Sequence, residues 1–528
     1  MSKQVLLVIL DGWGQGRPDL SNPIHIARTP TFDYLRRSFP TCLLQAAGIA
    51  VGLPWQEPGN SEAGHLTLGC GKVLYQNYPR ISLEIETGAF AKNPVLHDLI
   101  DHVKKNKSRL HLVGLLSQGH QHAAFDHLLA LLRLIKQQIT TSSPLPPTLY
   151  LHLFLDGKDS PPQSGKNLLD RLQAELDQLG VGHIATLCGR DYGMDIRGDY
   201  QVRTQRAYRL MLDGTGTTAT NIHATLDEHY RTASFNDNEL EPLILDPAGV
   251  IQDNDAVLFT NFNADGMTQL ARAFADPAFK YFPSNQKSNL RLAALVPYLA
   301  NTEAALPACY PPIQIETTFT TELSRHQKNY LLVTEQSRAH LLTHFFVNPK
   351  LATSAEAFTT IIPSRAEPLV REPLMQSHRL TELLLSAIDE RHDCIIANYP
   401  APDAVGHTGN LDLGLRVTEG IDALMNTLVR KVLERPNWVL ALTADHGNLE
   451  TIIDATTGER DTSHNANPVP LTLVSRDFFR ERAETTLRHQ LSEPLGTLAD
   501  VAPTLLRLME LPIPQTMEGK DLLPELLR

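Results

Sequence analysis

Three short segments of the chain are almost entirely apolar, and an aspartate follows each of them within a few residues. They are Gln4–Leu10 (QVLLVIL), Asp393–Asn398 (DCIIAN) and Trp438–Thr443 (WVLALT). A strand that is apolar on both faces is typical of a parallel sheet covered by helices on both sides. Open α/β sheets bind ligands at the carboxyl ends of their strands. The sequence therefore predicts an α/β fold whose functional site lies where these strands end.

The middle of the chain contains a second series of apolar segments, each followed by a polar loop. These segments are Leu110–Leu116, Leu149–Leu155, Gly182–Leu187 and Ala256–Thr260. A chain of 528 residues is too long for one typical core, so we expect two domains. The series predicts that residues 77–312 form an inserted α/β domain, and that residues 1–76 and 313–528 together form the other.

The octapeptide Pro58–His65 (PGNSEAGH) places Ser61 between two glycines, and we expect this serine to lie on an exposed loop. A serine hydroxyl becomes a nucleophile only when a neighbouring base or a metal ion activates it. Taken alone, the octapeptide is more typical of an ordinary turn. The rest of the chain decides between the two interpretations.

Seven side chains from the first and last parts of the chain could bind metal ions. They are Asp11, Ser61, Asp403, His407, Asp445, His446 and His464. All but Ser61 follow, or closely neighbour, a predicted strand. Carboxylates mixed with imidazoles suit manganese or zinc better than calcium. Two such ions would lower the pKa of a serine hydroxyl and offset the charge of a transferring phosphoryl group, so we expect a two-metal site around Ser61.

The formal net charge of −12 argues against nucleic acid or an anionic membrane as a partner. The five cysteines are scattered without a paired spacing, which fits a reducing compartment. No apolar run approaches the ~20 residues of a membrane helix, and no export signal is visible. We expect a cytoplasmic protein.

Seven motifs, in order over nearly the whole chain, are those of one enzyme family. They are VLLVILDGWG at Val5–Gly14, GNSEAGHLTLG at Gly59–Gly69, FLDGKDSPP at Phe154–Pro162, PDAVGHTGNL at Pro402–Leu411, TADHGN at Thr443–Asn448, SHNANPVP at Ser463–Pro470 and TLADVAPTLL at Thr497–Leu506. The chain resembles the cofactor-independent (2,3-bisphosphoglycerate-independent) phosphoglycerate mutases of the alkaline-phosphatase-like superfamily. The resemblance implies an alkaline-phosphatase-like metal-binding sheet domain with an inserted α/β substrate domain.

The resemblance further implies a monomeric isomerase of glycolysis that interconverts 3-phosphoglycerate and 2-phosphoglycerate. Ser61 would carry the phosphoryl group during the reaction, and Asp159 would act as an acid–base residue in the inserted domain. The implied ligands of one manganese ion are Asp403, His407 and His464, and those of the other are Asp11, Ser61, Asp445 and His446. The implied substrate-binding residues are His120, Lys158, Arg190 and Arg197, of which Lys158 stands where the family has an arginine.

At three further positions where the family has a cation, this chain has Asn263, Gly266 and Gln336. Their loss keeps a second function open: a related metal-dependent phosphatase, or a phosphomutase acting on a different phospho- or phosphonate substrate. A non-catalytic relative is the third alternative, but such a protein is expected to lose Ser61 or the metal ligands, and none is lost. The cations nearest in sequence are Arg338, Lys350 and Arg272, and we expect at least one to point toward Ser61.

Overall fold

The computed structural model describes the chain except for residues 1, 141–147, 232–235, 286, 300–301, 303, 348–356, 366, 455–456 and 484–490. The chain folds as two compact units. Met1–Gln76 and Gln314–Arg528 form the first unit, and Asn77–Ile313 form the inserted unit. Each unit contains a sheet flanked by helices, so the predicted α/β fold class is confirmed.

The described strands are, in chain order, β1 (Gln4–Leu10), β2 (Thr41–Gln45), β3 (Leu110–Leu116), β4 (Leu149–Leu155), β5 (His183–Gly189), β6 (Thr217–Thr218), β7 (Leu243–Ile244), β8 (Ala256–Phe259), β9 (Arg291–Ala294), β10 (Tyr330–Glu335), β11 (Ala357–Ile362), β12 (Cys394–Tyr399), β13 (Trp438–Thr443), β14 (Val469–Val474) and β15 (Gly496–Thr497). The described α-helices are α1 (Pro23–Ile26), α2 (Pro30–Ser38), α3 (Ser61–Cys70), α4 (Asn77–Glu86), α5 (Pro94–Asn106), α6 (Phe125–Thr140), α7 (Gly165–Leu179), α8 (Arg190–Gly193), α9 (Gln205–Leu212), α10 (Ile222–Arg231), α11 (Thr268–Ala275), α12 (Phe319–Arg325), α13 (Ala339–Phe345), α14 (Ser377–Ala387), α15 (Ala401–Gly406), α16 (Leu411–Leu433), α17 (Val501–Leu508) and α18 (Leu523–Leu526).

The first unit is built on an eight-stranded sheet in the order β11-β10-β12-β1-β13-β14-β2-β15. Strand β1 lies between β12 and β13 and runs parallel to both, so the three apolar segments predicted as strands are neighbours. Their apolar side chains are buried, and each fully buried Val, Leu or Ile contributes about 1.5–3 kcal/mol to folding. This packing fixes the ends of the three strands, from which the functional residues extend.

The inserted unit has a seven-stranded sheet in the order β6-β7-β5-β4-β3-β8-β9. Strands β3, β4, β5, β8 and β9 pair in parallel, and β7 is antiparallel to β5. The four predicted strands of this unit are confirmed. Two of them have the predicted bounds, whereas β5 begins and ends one or two residues later than predicted, and β8 ends one residue earlier.

All five cysteines lie among the described residues, and all are buried thiols outside any disulfide. Within the part of the chain that the structure describes, no helix is both long and apolar enough to cross a bilayer.

Candidate functional site

The carboxyl ends of β12, β1 and β13 bring acidic side chains together in the first unit. Asp11 directly follows β1, Asp403 lies in α15 after β12, and Asp445 lies two residues after β13. Because the three strands are parallel neighbours, these residues meet at one edge of the sheet. All three carboxylates are fully buried. The three aspartates that were predicted to lie at the strand ends are therefore close together.

Ser61 is the first residue of helix α3, and the Asn60 side chain caps this helix by accepting a hydrogen bond from Ala63 N at 2.9 Å. The Ser61 hydroxyl donates to Asp11 Oδ1 at 3.1 Å and lies 3.0 Å from His446 Nε2. The expectation of an exposed loop serine is wrong, because Ser61 is only 7% exposed. The helix start turns its hydroxyl inward, toward the acidic cluster.

Helix α3 can approach the cluster closely because of Gly64. A Cβ added to Gly64 would lie 2.3 Å from the backbone oxygen of Asp445. Any larger residue would therefore push the helix, and Ser61 with it, away from Asp445. This close packing explains why a glycine is present at position 64 of the octapeptide.

Two groups of potential metal ligands surround Ser61. The ligand atoms within each group lie within 4.8 Å of one another, and the groups are Asp11, Asp445 and His446, and Asp403, His407 and His464. In the first group, His446 Nε2 lies 3.3 Å from Asp11 Oδ1 and 3.5 Å from Asp445 Oδ2. His446 Nε2 also lies 4.0 Å from Asp403 Oδ1, so the two groups adjoin.

The second group is equally compact. His407 Nε2 lies 3.3 Å from Asp403 Oδ2, and His464 Nε2 lies 3.2 Å from Asp403 Oδ1. The two histidine Nε2 atoms are 3.1 Å apart. Asp403 therefore lies between the imidazoles, with one oxygen facing each.

The histidine tautomers fit metal binding. Nδ1 of His407 donates to Thr462 O at 2.8 Å, and Nδ1 of His464 donates to Gly59 O at 3.0 Å. Because these bonds occupy both Nδ1 hydrogens, the two Nε2 atoms are the ones left to bind a metal ion or a proton. The hydrogen bond to Asp403 raises the pKa of His407, so the position already favours a positive charge. A backbone carbonyl that fixes the Nδ1–H of a histidine is a common support of metal ligands.

The buried carboxylates of Asp11, Asp403 and Asp445 concentrate negative charge between the two groups of potential metal ligands. Burial, followed by the charge of Asp445, raises the pKa of Asp11 above its ordinary value. Burial alone would lower the pKa of His446, but the carboxylates of Asp445 and Asp11 raise it to about 10. A buried cluster of this charge favours divalent cations over neutral ligands.

Three residues outside the predicted set support these ligands. Asn398 Nδ2 donates to Asp11 Oδ2 at 3.2 Å and to His65 Nε2 at 3.0 Å. His65 Nδ1 donates to Ser61 O at 2.9 Å and lies 3.1 Å from Asp445 Oδ2. Asn448 Nδ2 donates to Asp403 Oδ1 at 2.7 Å. All three lie in the same strands or sequence motifs as the metal-ligand candidates, and this closeness in sequence was the signal that could have identified them.

Arg338 also reaches the cluster, from a short turn at Gln336–Arg338 that follows β10. Its Nε lies 3.3 Å from Asp11 Oδ2, and its Nη2 contacts Asp403 Oδ2. Burial opposes the charge on Arg338, but the three carboxylates outweigh it and raise the pKa of the guanidinium. Asp11 also binds the Ser61 hydroxyl through its other oxygen, so of the three candidate cations Arg338 has a described contact with the cluster that holds Ser61.

The other two candidate cations do not bear on this result. Lys350 lies outside the described residues. Arg272 belongs to the inserted unit, where its Nε lies 3.5 Å from Asp276 Oδ2.

The inserted unit contains a separate charged cluster where β4 and β5 end. Arg190 Nη1 donates to Asp156 Oδ1 at 2.6 Å and lies 3.2 Å from Asp159 Oδ2. Lys158 Nζ donates to Asp191 Oδ1 at 2.6 Å. Three of the predicted residues, Lys158, Asp159 and Arg190, are thus close together.

Two other predicted residues of this unit lie differently. The ring of His120 packs against Tyr78, with 4.3 Å between the ring centres, whereas His122 Nε2 lies 3.9 Å from Asp159 Oδ2. The side chain of Arg197 is exposed, and its backbone N–H donates to Asp195.

Arg203 was not predicted, yet its Nη1 donates to Asp191 Oδ2 at 3.2 Å. The second histidine of the loop SQGHQH was a visible candidate for the contact with Asp159, but no motif marked Arg203.

Comparison with known proteins identifies the family. The family model described as the BPG-independent PGAM N-terminus matches residues 81–300, all within the inserted unit. The 2,3-bisphosphoglycerate-independent phosphoglycerate mutase of Myxococcus xanthus (strain DK1622) is 37% identical over 530 residues, covering 99% of both chains. The chain belongs to this mutase family. The namesake of Pseudoalteromonas atlantica is 35% identical and covers 98% of both chains. That of Francisella tularensis subsp. novicida is 34% identical and covers 99% of both.

A solved mutase structure agrees with the identification. The structure of Leishmania mexicana phosphoglycerate mutase at low cobalt concentration has 26% sequence identity and a TM-score of 0.55 to this chain. The match covers 98% of this chain and 97% of the Leishmania chain.

The three positions that lack an expected cation, Asn263, Gly266 and Gln336, lie in a loop and a turn whose local structure fits the residues present. Gly266 has a φ of 80°, and a Cβ added there would lie 2.9 Å from Met194 Cβ. An arginine at this position would therefore require the loop to move. Asn263 accepts a hydrogen bond from Asp265 N at 3.1 Å and so stabilises the same loop. Gln336 is exposed at the start of the turn that carries Arg338.

Proposed function

We propose that this chain interconverts 3-phosphoglycerate and 2-phosphoglycerate through a phosphoserine formed at Ser61. The observation that carries the proposal is the position of the Ser61 hydroxyl, within hydrogen-bond distance of Asp11 and His446 in a chain of the mutase family. Such a hydroxyl is placed to act as a nucleophile once its proton is lost. The names of the relatives support the same reaction.

The site takes two divalent ions, and we assign manganese to both positions. Asp403, His407 and His464 hold one ion, and Asp11, Ser61, Asp445 and His446 hold the other. The mixture of carboxylate oxygens and imidazole nitrogens suits manganese, and the Leishmania mexicana structure was determined with cobalt, another divalent ion of that class. When bound, the ions lower the pKa of the serine hydroxyl and offset the charge of the phosphoryl group.

The reaction uses the residues of the chain in two symmetric transfers. The Ser61 hydroxyl first loses its proton to water, so that Oγ attacks phosphorus as an oxyanion and leaves again as one in the return transfer. In the first transfer the bond from phosphorus to the substrate oxygen breaks, and the phosphoryl group remains on Ser61. Asp159 gives a proton to the oxygen that leaves. The bound glycerate reorients, Asp159 takes the proton of the other hydroxyl, and that oxygen attacks the phosphoserine. Water must be excluded throughout, because its attack on the phosphoserine would turn the mutase into a phosphatase.

The glycerate part of the substrate is held by the inserted unit. The proposed residues are His120, Lys158, Arg190 and Arg197. Lys158 and Arg190 have the strongest support, because they flank Asp159 in the charged cluster. His122 and Arg203 lie in the same cluster and are alternatives to His120 and Arg197.

A second function is favoured by the loop at Asn263 and Gly266. This loop has no cation at either position, and its backbone is shaped against one at Gly266. A related metal-dependent phosphatase, or a phosphomutase acting on a less charged phospho- or phosphonate substrate, needs fewer cations. The serine and the metal ligands would serve that chemistry equally well.

One assay separates the two functions. Purified protein with manganese is given 3-phosphoglycerate, and both 2-phosphoglycerate and free phosphate are measured over time. The mutase predicts 2-phosphoglycerate with little free phosphate, at a rate that falls in proportion when the protein is diluted. Free phosphate as the main product, or no turnover of either phosphoglycerate, would overturn the proposed mutase function in favour of the phosphatase or the phosphomutase with a different substrate.

We also propose that the protein works as a cytoplasmic monomer and binds neither nucleic acid nor membranes. The net charge of −12 supports this, because it repels both nucleic acid and anionic lipid. Sedimentation of the purified protein at several concentrations tests the monomer.

A further inference from the structure

Arg338 contacts both groups of metal ligands at once. Its Nε lies 3.3 Å from Oδ2 of Asp11, which belongs to one group, and its Nη2 contacts Oδ2 of Asp403, which belongs to the other. His407 Nε2 lies 3.3 Å from the same oxygen of Asp403. The guanidinium therefore lies against one carboxylate from each group of potential metal ligands, and on Asp403 it shares an oxygen with His407.

The side chain is placed to move. Arg338 is 25% exposed, whereas Asp11 and Asp403 are fully buried. It ends the turn at Gln336–Arg338, which lies outside the strands of the sheet. A long, partly exposed cationic side chain can leave the carboxylates without any change in the sheet.

We propose that Arg338 is an exchangeable counter-ion: it neutralises Asp11 and Asp403 until divalent metal ions bind, and it then binds the oxygens of the phosphoryl group. A metal ion and a guanidinium compete for the same two carboxylates, so each weakens the binding of the other. The planar fork of a guanidinium matches a phosphoryl group as well as it matches a carboxylate. The inference rests on the proposed two-metal site but is independent of which phosphorylated substrate is used.

The first test measures metal affinity alone. Manganese is titrated calorimetrically into the wild type, Arg338→Gln, Arg338→Lys and the control Arg379→Gln. Arg379 pairs with Glu382 at 3.0 Å on the exposed face of α14, away from the ligand groups. Arg338→Gln is expected to bind manganese about tenfold more tightly than the wild type, because a charge-assisted contact no longer competes. Arg338→Lys should fall between them, and Arg379→Gln should match the wild type.

The second test measures anion affinity. Inorganic phosphate is titrated into the manganese-loaded proteins, and Arg338→Gln is expected to bind it about tenfold more weakly than the wild type, with Arg338→Lys again between. Melting curves establish that each variant is folded. If Arg338→Gln does not fold, the comparison of Arg338→Lys with the wild type decides in both tests.

Each outcome bears on the inference. Unchanged or weaker manganese binding in the deciding variant overturns it, and so does unchanged phosphate binding. If the wild type binds manganese normally in those cases, the proposed function stands without the inference. If the wild type binds no manganese at all, both are overturned.

Discussion

A buried chain of hydrogen bonds in the inserted unit makes its stability depend on pH. Thr186 Oγ1 donates to His152 Nδ1 at 2.9 Å, and His152 Nε2 donates to His111 Nδ1 at 3.0 Å. His111 Nε2 donates to Asp255 Oδ2 at 3.0 Å. Both histidines are fully buried and neutral in this arrangement. Burial, together with the repulsion that a proton on His152 would meet from a protonated His111 and from the charge of Arg109, holds the pKa of His152 well below its ordinary value.

The direction of the pH effect follows from this depressed pKa. Below the ordinary histidine pKa of about 6.5, His152 takes up a proton in the unfolded chain but not in the folded one. Its stabilising contribution is complete above that pH and is lost as the pH falls. If the folded histidine stays neutral, the loss is about 1.4 kcal/mol by pH 5.5 and about 2 kcal/mol by pH 5, roughly a thirtyfold increase in the unfolded population.

The variant His152→Gln isolates this contribution. Glutamine can still hydrogen-bond to His111 and Thr186, but it does not titrate. Hydrogen exchange of peptides from β4, corrected for intrinsic rates, is compared at about pH 7.5 and about pH 5. Between these values, the protection free energy of the wild type is expected to fall by about 2 kcal/mol more than that of the variant. Peptides from β12, in the first unit, serve as the internal reference.

The titration of His127 does not affect the comparison. Burial lowers the pKa of His127 to about 4, so His127 also destabilises the inserted unit in acid. It is present in both proteins, and its effect cancels in the difference between them. Equal pH dependence of the wild type and His152→Gln would refute the reasoning, because it would mean that folded His152 accepts a proton as readily as the unfolded chain does.

Three further predictions concern the reaction itself. Ser61→Ala should lower turnover by at least roughly 10⁴-fold while changing the free energy of unfolding by only about 1 kcal/mol. Intact-mass spectrometry should find phosphate on the wild type alone. Turnover by the variant near the parental rate would exclude Ser61 as the nucleophile. Chelation should abolish activity, with manganese restoring it better than magnesium because imidazoles are among the ligands. Full activity in protein shown to be metal-free by elemental analysis would contradict this. His122→Ala should reduce kcat/KM for 3-phosphoglycerate about tenfold more than His120→Ala, because His122 is the histidine beside Asp159. The opposite order would favour His120, which the motif assigns to substrate binding, over His122.

The strands and the aspartates at their ends could be predicted because each signal is local. Strands that are buried on both faces are continuous apolar runs, and the residue after each run must lie at the sheet edge. Asp11 and Asp445 follow from this rule, and β3 and β4 have the predicted bounds. For their neighbours His65, Asn398 and Asn448, the only signal was their closeness in sequence to the ligands, since contacts such as those of Asn398 with His65 and of Asn448 with Asp403 join different elements.

The remaining parts of the site depend on how loops place their side chains. The loop SQGHQH offers two histidines at nearly the same point, and only its three-dimensional path decides that His122 faces Asp159. Ser61 was expected on an exposed loop, but the capping of α3 by Asn60 begins the helix at Ser61 and buries it. Arg338 was one of three cations expected to lie near Ser61, and its contact with the acidic cluster depends on the short turn after β10 that carries it.

The charges of both units lead to one conclusion about substrate binding. In the inserted unit, Lys158, Arg190 and Arg203 are paired with Asp191, Asp156 and Asp159. In the first unit, Arg338 is paired with Asp11 and Asp403. An anionic ligand that binds these cations therefore exchanges one ion pair for another and gains only the difference in free energy. Binding by exchange gives modest affinity but strong discrimination, because a ligand without the matching charge leaves a cation with its own carboxylate. Under the proposed function, Asn263 and Gly266 add no positive charge to substrate binding, so specificity would depend on the geometry of these ion pairs.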